Sequence, residues 1–130
     1  MEGTRPMRFM LMHKLDENKP ELWQPDQAFI ARMGAFIAEA NQAGVLLAGE
    51  GLRPSSVDAG RITVTDGKKT VTDGPFAETK ELIAGFALLQ VRDKAEAMQW
   101  GQRFVDVFVE AGFDLEVDVR RVTEMEDLAA

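Results

Sequence analysis

The chain has 130 residues, of which 45% are hydrophobic, and its 15 basic and 22 acidic side chains give a formal net charge of -7 at pH 7. That length suffices for one hydrophobic core, so we predict a disordered or extended tail over residues 1–6 and a single domain over residues 7–130. Because an acidic surface repels phosphate backbones and anionic lipid, we expect no nucleic-acid or membrane partner.

The sequence contains no cysteine and a single histidine, His13. The absence of cysteine excludes disulfides, thiolate nucleophiles and cysteine-based zinc sites, and one histidine cannot build a histidine-rich metal site. We therefore expect neither a bound metal nor a cofactor. The N-terminus shows no signal peptide or transmembrane span, and the composition is compatible with the cytoplasmic location that we predict.

Hydrophobic periodicity predicts a strand, a helix and a second strand in the first part of the chain. Residues 7–15 alternate with period 2 and carry apolar side chains on both faces, which is typical of a central strand. Apolar residues at helical spacing predict a helix over residues 24–43, and a short strand follows over residues 45–48. We assign Gly49 and Gly51 to a turn, because the residues that complete a phosphate-binding loop are missing.

A hairpin and a further strand follow. Residues 61–65 and 69–72 flank an Asp-Gly dipeptide, which is a strong short-range signal for a hairpin. Residues 83–91 form a mostly apolar segment that predicts a strand. Within it, Gly85 indicates a bulge or a close approach of another backbone.

The C-terminal part predicts one more helix and one more strand. Asp93 and Glu96 form a capping box that begins a helix, and Gly112 ends it. Residues 115–120 then alternate between apolar and charged side chains. The complete order predicts an α+β protein with the ferredoxin-like βαββαβ arrangement and an inserted β-hairpin.

A sheet with both helices on one face leaves its other face uncovered, so we predict a homodimer formed through that face. If two sheets close face to face, Glu116, Asp118 and Arg120 line a semi-polar interior. In the alternative, these side chains are solvated or form ion pairs across neighbouring strands.

The nine residues from Asp73 to Glu81 fit neither helical nor strand periodicity. Asp73, Gly74 and Pro75 restrict the backbone to one turn, and charged side chains follow directly after it. We call residues 73–81 the signature turn. It is either a rigid platform that presents charges to a ligand or a structural corner.

The signature turn, with the Ala48 to Ser55 segment before it and Leu82 to Phe86 after it, resembles the signature of the DGPF proteins, a branch of the YCII-related family. The resemblance covers the chain from Met7 to the C-terminus. It implies a ferredoxin-like fold that dimerises into a shared barrel, a dimeric α+β barrel. Related barrels include small-molecule isomerases, lyases and monooxygenases, as well as many proteins without a known activity.

The resemblance does not carry a catalytic pair to this chain. The YCII-related pattern places a histidine in the first helix together with an acidic partner, whereas residues 24–43 of this sequence contain no histidine. His13 lies instead on the first predicted strand, on the face shared by Phe9 and Leu11. It is a candidate general base, because imidazole titrates near neutral pH. Alternatively, it is simply an exposed or half-buried residue at the end of a strand.

The signature turn supplies a second candidate centre. Its carboxylates and one ammonium lie close together in sequence, an arrangement that perturbs pKa values and holds polar ligands, although a local ion pair within an ordered turn explains them equally. The candidate catalytic residues are His13, Asp73 and Lys80. The candidate ligand-binding residues are Trp23, Phe76, Glu78 and Glu81.

Two functions remain open at this point. The first is a dimer that binds a small molecule or another partner without catalysis, and DGPF proteins are often suspected of acting near regulatory systems. The second is a cofactor-free enzyme of the isomerase or lyase type, working by acid–base chemistry. We expect the two to be distinguished by whether His13, Asp73 and Lys80 converge on one enclosed pocket.

Overall fold

The structure is a computed structural model that describes residues 6–76 and 82–129. In chain order its elements are β1 (Met7–Leu15), a 3₁₀ helix (Pro20–Trp23), α1 (Gln27–Gln42), β2 (Leu46–Gly51), β3 (Gly60–Thr65), β4 (Lys68–Asp73), β5 (Leu82–Val91), α2 (Lys94–Glu110), β6 (Glu116–Arg121) and α3 (Met125–Leu128). The 3₁₀ helix and α3 were not predicted, because each spans a single turn and has no periodicity to detect.

The main sheet has four antiparallel strands in the order β2-β5-β1-β6, and β3 pairs with β4 in a separate two-stranded sheet. The strand predicted over residues 7–15 is confirmed as a central one, because β1 lies between β5 and β6. The predicted α+β, ferredoxin-like architecture with an inserted hairpin is likewise confirmed. Residues 1–5 of the predicted N-terminal tail lie outside the described residues.

Both long helices begin at an aspartate whose side chain accepts a backbone hydrogen bond. The Asp26 carboxylate accepts from the Phe29 N–H at 2.8 Å, so α1 begins at Gln27 rather than at the predicted residue 24. Asp93 accepts from the Glu96 N–H at 2.9 Å. In a capping box, the Glu96 carboxylate would accept from the Asp93 N–H. Here it accepts from the N–H of the preceding residue, Arg92, so only one of the two predicted bonds forms as expected.

The hydrophobic core lies between the main sheet and the two long helices. Leu11 of β1 and Leu89 of β5 have 0% of their surface exposed, and both belong to the same core cluster as Phe104 and Phe108 of α2. The predicted assignment of the helix aromatics to the core is confirmed: Phe29, Phe36, Phe104 and Phe108 are buried, and the ring of Trp100 packs edge-on against Phe36.

The opposite face of the sheet, which we call the open face, carries alternating apolar and charged residues. The register places Met10 opposite Leu88 and Met12 opposite Phe86, and all four side chains are only half-buried. At one end, the Lys14 ammonium lies 3.4 Å from the Glu116 carboxylate and 2.8 Å from that of Asp118. This arrangement agrees with the alternative that the acidic side chains of β6 form cross-strand ion pairs.

Candidate functional site

A cavity of about 390 Å³ lies between the two long helices and the helix-facing side of the sheet. Phe29, Met33, Phe36 and Ile37 of α1 cover it. Its opposite side is formed by the ends of β1, β2 and β5, and residues of the 3₁₀ helix and Leu52 complete the boundary. A volume of this size falls within the range of roughly 300–1,000 Å³ that is typical of small-molecule sites.

The space exists because the strands beneath the helices carry small residues. Gly49 and Gly51 lie on the helix-facing side of β2, opposite Ala87 and Gly85 of β5, so no large side chain fills this part of the interior. A Cβ on Gly51 would meet no atom within 4 Å. The prediction that Gly49 and Gly51 belong to a turn is therefore wrong. Both are strand residues whose missing side chains leave room for the cavity.

Aromatic rings form the deepest side of the cavity. The His13 ring lies 5.4 Å from the centroid of Phe104 and 5.4 Å from that of Phe108. The ring centroids of Phe29 and Phe108 are 5.0 Å apart, and those of Phe36 and Phe104 are 5.8 Å apart. The rings therefore form one continuous cluster. All of these residues line the cavity.

His13 reaches this position through a bulge in the sheet. The pairing of β1 with β5 shifts between His13 and Lys14, and the imidazole lies directly over Gly85, where an added Cβ would be 2.5 Å from its Cε1. The prediction that Gly85 marks a bulge or a close approach is confirmed, since both occur here. A side chain at position 85 would force the His13 ring or the neighbouring Glu50 backbone to move.

Burial determines the protonation state of His13. Desolvation lowers the pKa of the imidazole from 6.5 to about 4, so the ring is neutral near pH 7. Its Nδ1 is sealed from solvent and has no hydrogen-bond partner in the part of the chain that the structure describes. Because His13 lines the cavity and Nδ1 is sealed, we infer that a ligand would contact the ring through Nε2.

Trp23, a predicted pocket residue, lines the same cavity. Its indole N–H donates to the backbone oxygen of Asp16 at 3.2 Å, which leaves the apolar ring surface for the cavity. The adjacent Leu22 is buried and also lines the cavity. The 3₁₀ helix therefore contributes two apolar side chains to its boundary.

The described residues of the signature turn, 73–76, lie away from the cavity. Asp73 is the last residue of β4, is exposed, and does not line the cavity. Gly74 passes so close to the backbone oxygen of Ser55 that a Cβ would lie 1.9 Å from it. The Phe76 N–H donates to Ser55 Oγ at 3.1 Å. The described part of the turn is thus held by backbone packing and hydrogen bonds.

Ser55 connects the turn to a third segment. Its N–H and its hydroxyl donate to the two oxygens of the Glu17 carboxylate at 2.6 and 2.5 Å. Ser55 is buried. The sequence did not predict its bonds to Glu17, because no local pattern links residues that lie 38 positions apart. This link is the main feature near the site that the sequence did not reveal.

Phe76 does not line the cavity either. The Arg61 guanidinium stacks over its ring at 4.0 Å from the centroid, which fixes the ring against β3. Glu78, Lys80 and Glu81 lie outside the described residues. The structure therefore brings His13 and Trp23 together at one cavity and does not bring Asp73 or Phe76 to it.

Other kinds of site have little support in the described ranges. Within residues 6–76 and 82–129, no three histidine, aspartate or glutamate side chains are grouped so that they could hold a metal ion. No helix in those ranges is long and apolar enough to cross a membrane.

Together, these features define a ferredoxin-like α+β domain with an apolar, aromatic-lined cavity under its helices. The model of the YCII-related domain matches residues 7–125, so the chain belongs to the YCII-related family. A search of curated proteins found no match.

Proposed function

We propose that the protein binds a small, predominantly apolar molecule in the cavity beneath α1. The observation that carries this proposal is a predominantly apolar space of about 390 Å³ that is lined by the His13 ring, whose Nδ1 has no hydrogen-bond partner in the described part of the chain. Pockets of this composition bind ligands by apolar burial and use their few polar groups to orient them.

Binding is favoured over acid–base catalysis by the state of His13. An imidazole with a pKa of about 4 is a weak base near pH 7, well below the range in which general bases work best. Asp73, the other described catalytic candidate, is not at the cavity. A cofactor-free enzyme would need acid–base groups at the cavity that neither His13 nor Asp73 supplies, whereas a binding protein needs only the apolar space.

A screen of fragments by ligand-observed NMR, followed by a matched pair of glycine variants, tests the proposal. Gly51→Leu places a side chain in the cavity, where a Cβ meets no atom within 4 Å. Gly34→Leu adds the same side chain to the exposed surface of α1, away from the cavity. We expect Gly51→Leu to weaken binding of the fragments by about tenfold or more and Gly34→Leu to leave it unchanged.

Ligands that bind the wild type and Gly51→Leu equally would place binding outside the cavity and contradict the proposal. The absence of any ligand from a broad screen would contradict it as well. The melting temperature of each variant, measured without ligand, separates a loss of binding from a loss of folding.

We also propose that two copies of the chain pair through the open face. Its support is the half-buried apolar group formed by Met10, Met12, Phe86 and Leu88, which lies on the face opposite to α1 and α2. Light scattering at micromolar concentration should give the mass of a dimer, and Met12→Lys should give a monomer. Val109→Lys on the exposed side of α2 is the control, and a wild-type monomer would contradict the pairing.

A further inference from the structure

We infer that the ligand of this cavity is an uncharged aromatic molecule that carries one hydroxyl-type polar group, the chemistry of a phenol. The inference rests on the proposed function and narrows it from small apolar molecules in general to one chemical class. Three properties of the lining residues support it: their shape, their charge and the hydrogen-bonding capacity of His13.

The shape of the lining favours a planar ring. Phe29, Phe104 and Phe108 meet at centroid distances of 5.0 and 5.2 Å in edge-to-face orientations, so they present ring faces and edges rather than flexible aliphatic chains. Aromatic pairs in such orientations are more favourable than the burial of their area alone explains. A flat aromatic ligand can extend this cluster, whereas a saturated ring of equal size contributes area alone.

The charge of the lining excludes an anionic ligand. Among the described residues that line the cavity, Glu50 is the only one that carries a charge near neutral pH, and no lysine or arginine is present. A carboxylate moved into this space would lose its hydration without meeting a cation, which is strongly unfavourable. The chain's formal net charge of -7 disfavours anions further.

His13 determines the polar group. Because Nδ1 is sealed and unpaired in the described part of the chain, the reachable Nε2 either donates or accepts, depending on which nitrogen holds the single proton of the neutral ring. A hydroxyl group can accept from Nε2–H or donate to an unprotonated Nε2. It therefore fits both tautomers, whereas a ligand without a polar group leaves Nε2 unsatisfied.

Four bicyclic probes of nearly equal size test the inference by isothermal titration or NMR at about pH 7: 2-naphthol, naphthalene, 2-naphthoate and decahydro-2-naphthol. We expect 2-naphthol to bind most tightly, with an affinity about tenfold or more above that of 2-naphthoate. Naphthalene and the saturated alcohol should each bind several-fold more weakly than 2-naphthol. His13→Phe should abolish the preference for 2-naphthol over naphthalene and keep the binding of naphthalene, and Gly51→Leu should weaken both.

If 2-naphthoate or the saturated alcohol binds as tightly as 2-naphthol, and Gly51→Leu weakens that binding, the ligand class is wrong although the cavity is a binding site. If His13→Phe leaves the preference for 2-naphthol intact, the assigned role of His13 is wrong. If no probe binds but other fragments show sensitivity to Gly51→Leu, the class is overturned and the proposed function stands. Only a lack of any ligand sensitive to Gly51→Leu overturns both.

Discussion

The cavity and the signature turn use their residues in opposite ways. At the turn, Gly74 and Phe76 have backbone atoms committed to close contacts with Ser55, and the Phe76 ring is covered by Arg61. At the cavity, the side chains leave unfilled space, and Nδ1 of His13 has no hydrogen-bond partner among the described residues. Residues 73–76 of the turn are thus engaged by their own neighbours, whereas the cavity has room for another molecule.

Under the proposed function, the unusual sequence of residues 73–76 does not mark the place where the ligand binds. The residues of the described turn are explained by the geometry of packing, which restricts them tightly. The cavity is lined mostly by apolar residues and glycine, types that are common in any core. Four substitutions or conditions test how far this contrast extends.

The largest effect is expected for Gly74→Ala. The new Cβ would lie 1.9 Å from the Ser55 oxygen and 3.2 Å from the Ala59 Cβ, so the backbone of the turn or of its neighbour must move. We expect a loss of about 3 kcal/mol or more in the free energy of unfolding, measured in urea. Gly60→Ala, whose Cβ would approach nothing closer than 3.9 Å, is the control. A loss below about 1 kcal/mol at Gly74 would show that the turn is not held by this contact.

The second effect is a dependence of stability on pH that originates in the cavity. The pKa of His13 falls from 6.5 to about 4 on folding, so the unfolded chain binds a proton more tightly than the folded protein. The stability that depends on a neutral His13 is therefore fully present above about pH 6.5 and is lost as the pH falls toward 4. The loss in the free energy of unfolding amounts to at most about 3 kcal/mol.

Urea denaturation of the wild type and of His13→Phe at intervals between about pH 4 and pH 7 measures this contribution. We expect the difference in the free energy of unfolding between the two proteins to change across that window, because carboxylates elsewhere titrate equally in both. If the free energies of unfolding of the two proteins change in parallel with pH, His13 is more solvated than its surroundings indicate.

The third effect concerns the hydrogen bonds that hold the turn to two neighbouring connections. Ser55→Ala removes the hydroxyl that donates to Glu17 and accepts from the Phe76 N–H, so two polar groups lose a partner. We expect a destabilisation of about 1–3 kcal/mol, with Ser56→Ala on the exposed neighbouring residue as the control. Equal stability of the two variants would show that water replaces the hydroxyl without cost.

The smallest effect is expected on the outer surface of the hairpin. Ile62 and Val71 face each other across β3 and β4, and 70% and 73% of their surfaces are exposed. Ile62→Thr preserves strand propensity and should change the unfolding free energy by less than about 0.5 kcal/mol. A larger loss that depends on protein concentration would show that this surface is covered by another chain.

The fold followed from the sequence largely because its signals are local. The alternation over residues 7–15 and the Asp-Gly dipeptide of the hairpin each report on a few neighbouring residues, and β1 and the β3–β4 hairpin were found where they were predicted. The start of α1 was misplaced by three residues, because an apolar pattern that begins at Phe29 does not fix the helix end, whereas the side chain of Asp26 caps it at Gln27.

The site was less predictable because it depends on distant contacts. His13 was identified as a candidate from its residue type alone, but its lowered pKa comes from burial against Phe104 and Phe108, which follow it by some ninety residues. Gly49 and Gly51 were assigned to a turn, since glycine is common in turns and its role beneath a cavity appears only when α1 packs above it.

The bonds among Glu17, Ser55 and Phe76 have a consequence for how the protein can change. These residues lie in the β1–α1, β2–β3 and β4–β5 connections, the kind of segment in which insertions and deletions usually accumulate. Here, a change in the length of one connection would move a residue that is hydrogen-bonded to another connection, and the bonds through Ser55 would be lost. We therefore expect these loops to keep their lengths together, while the hairpin tip at Asp66 and Gly67 accepts added residues freely.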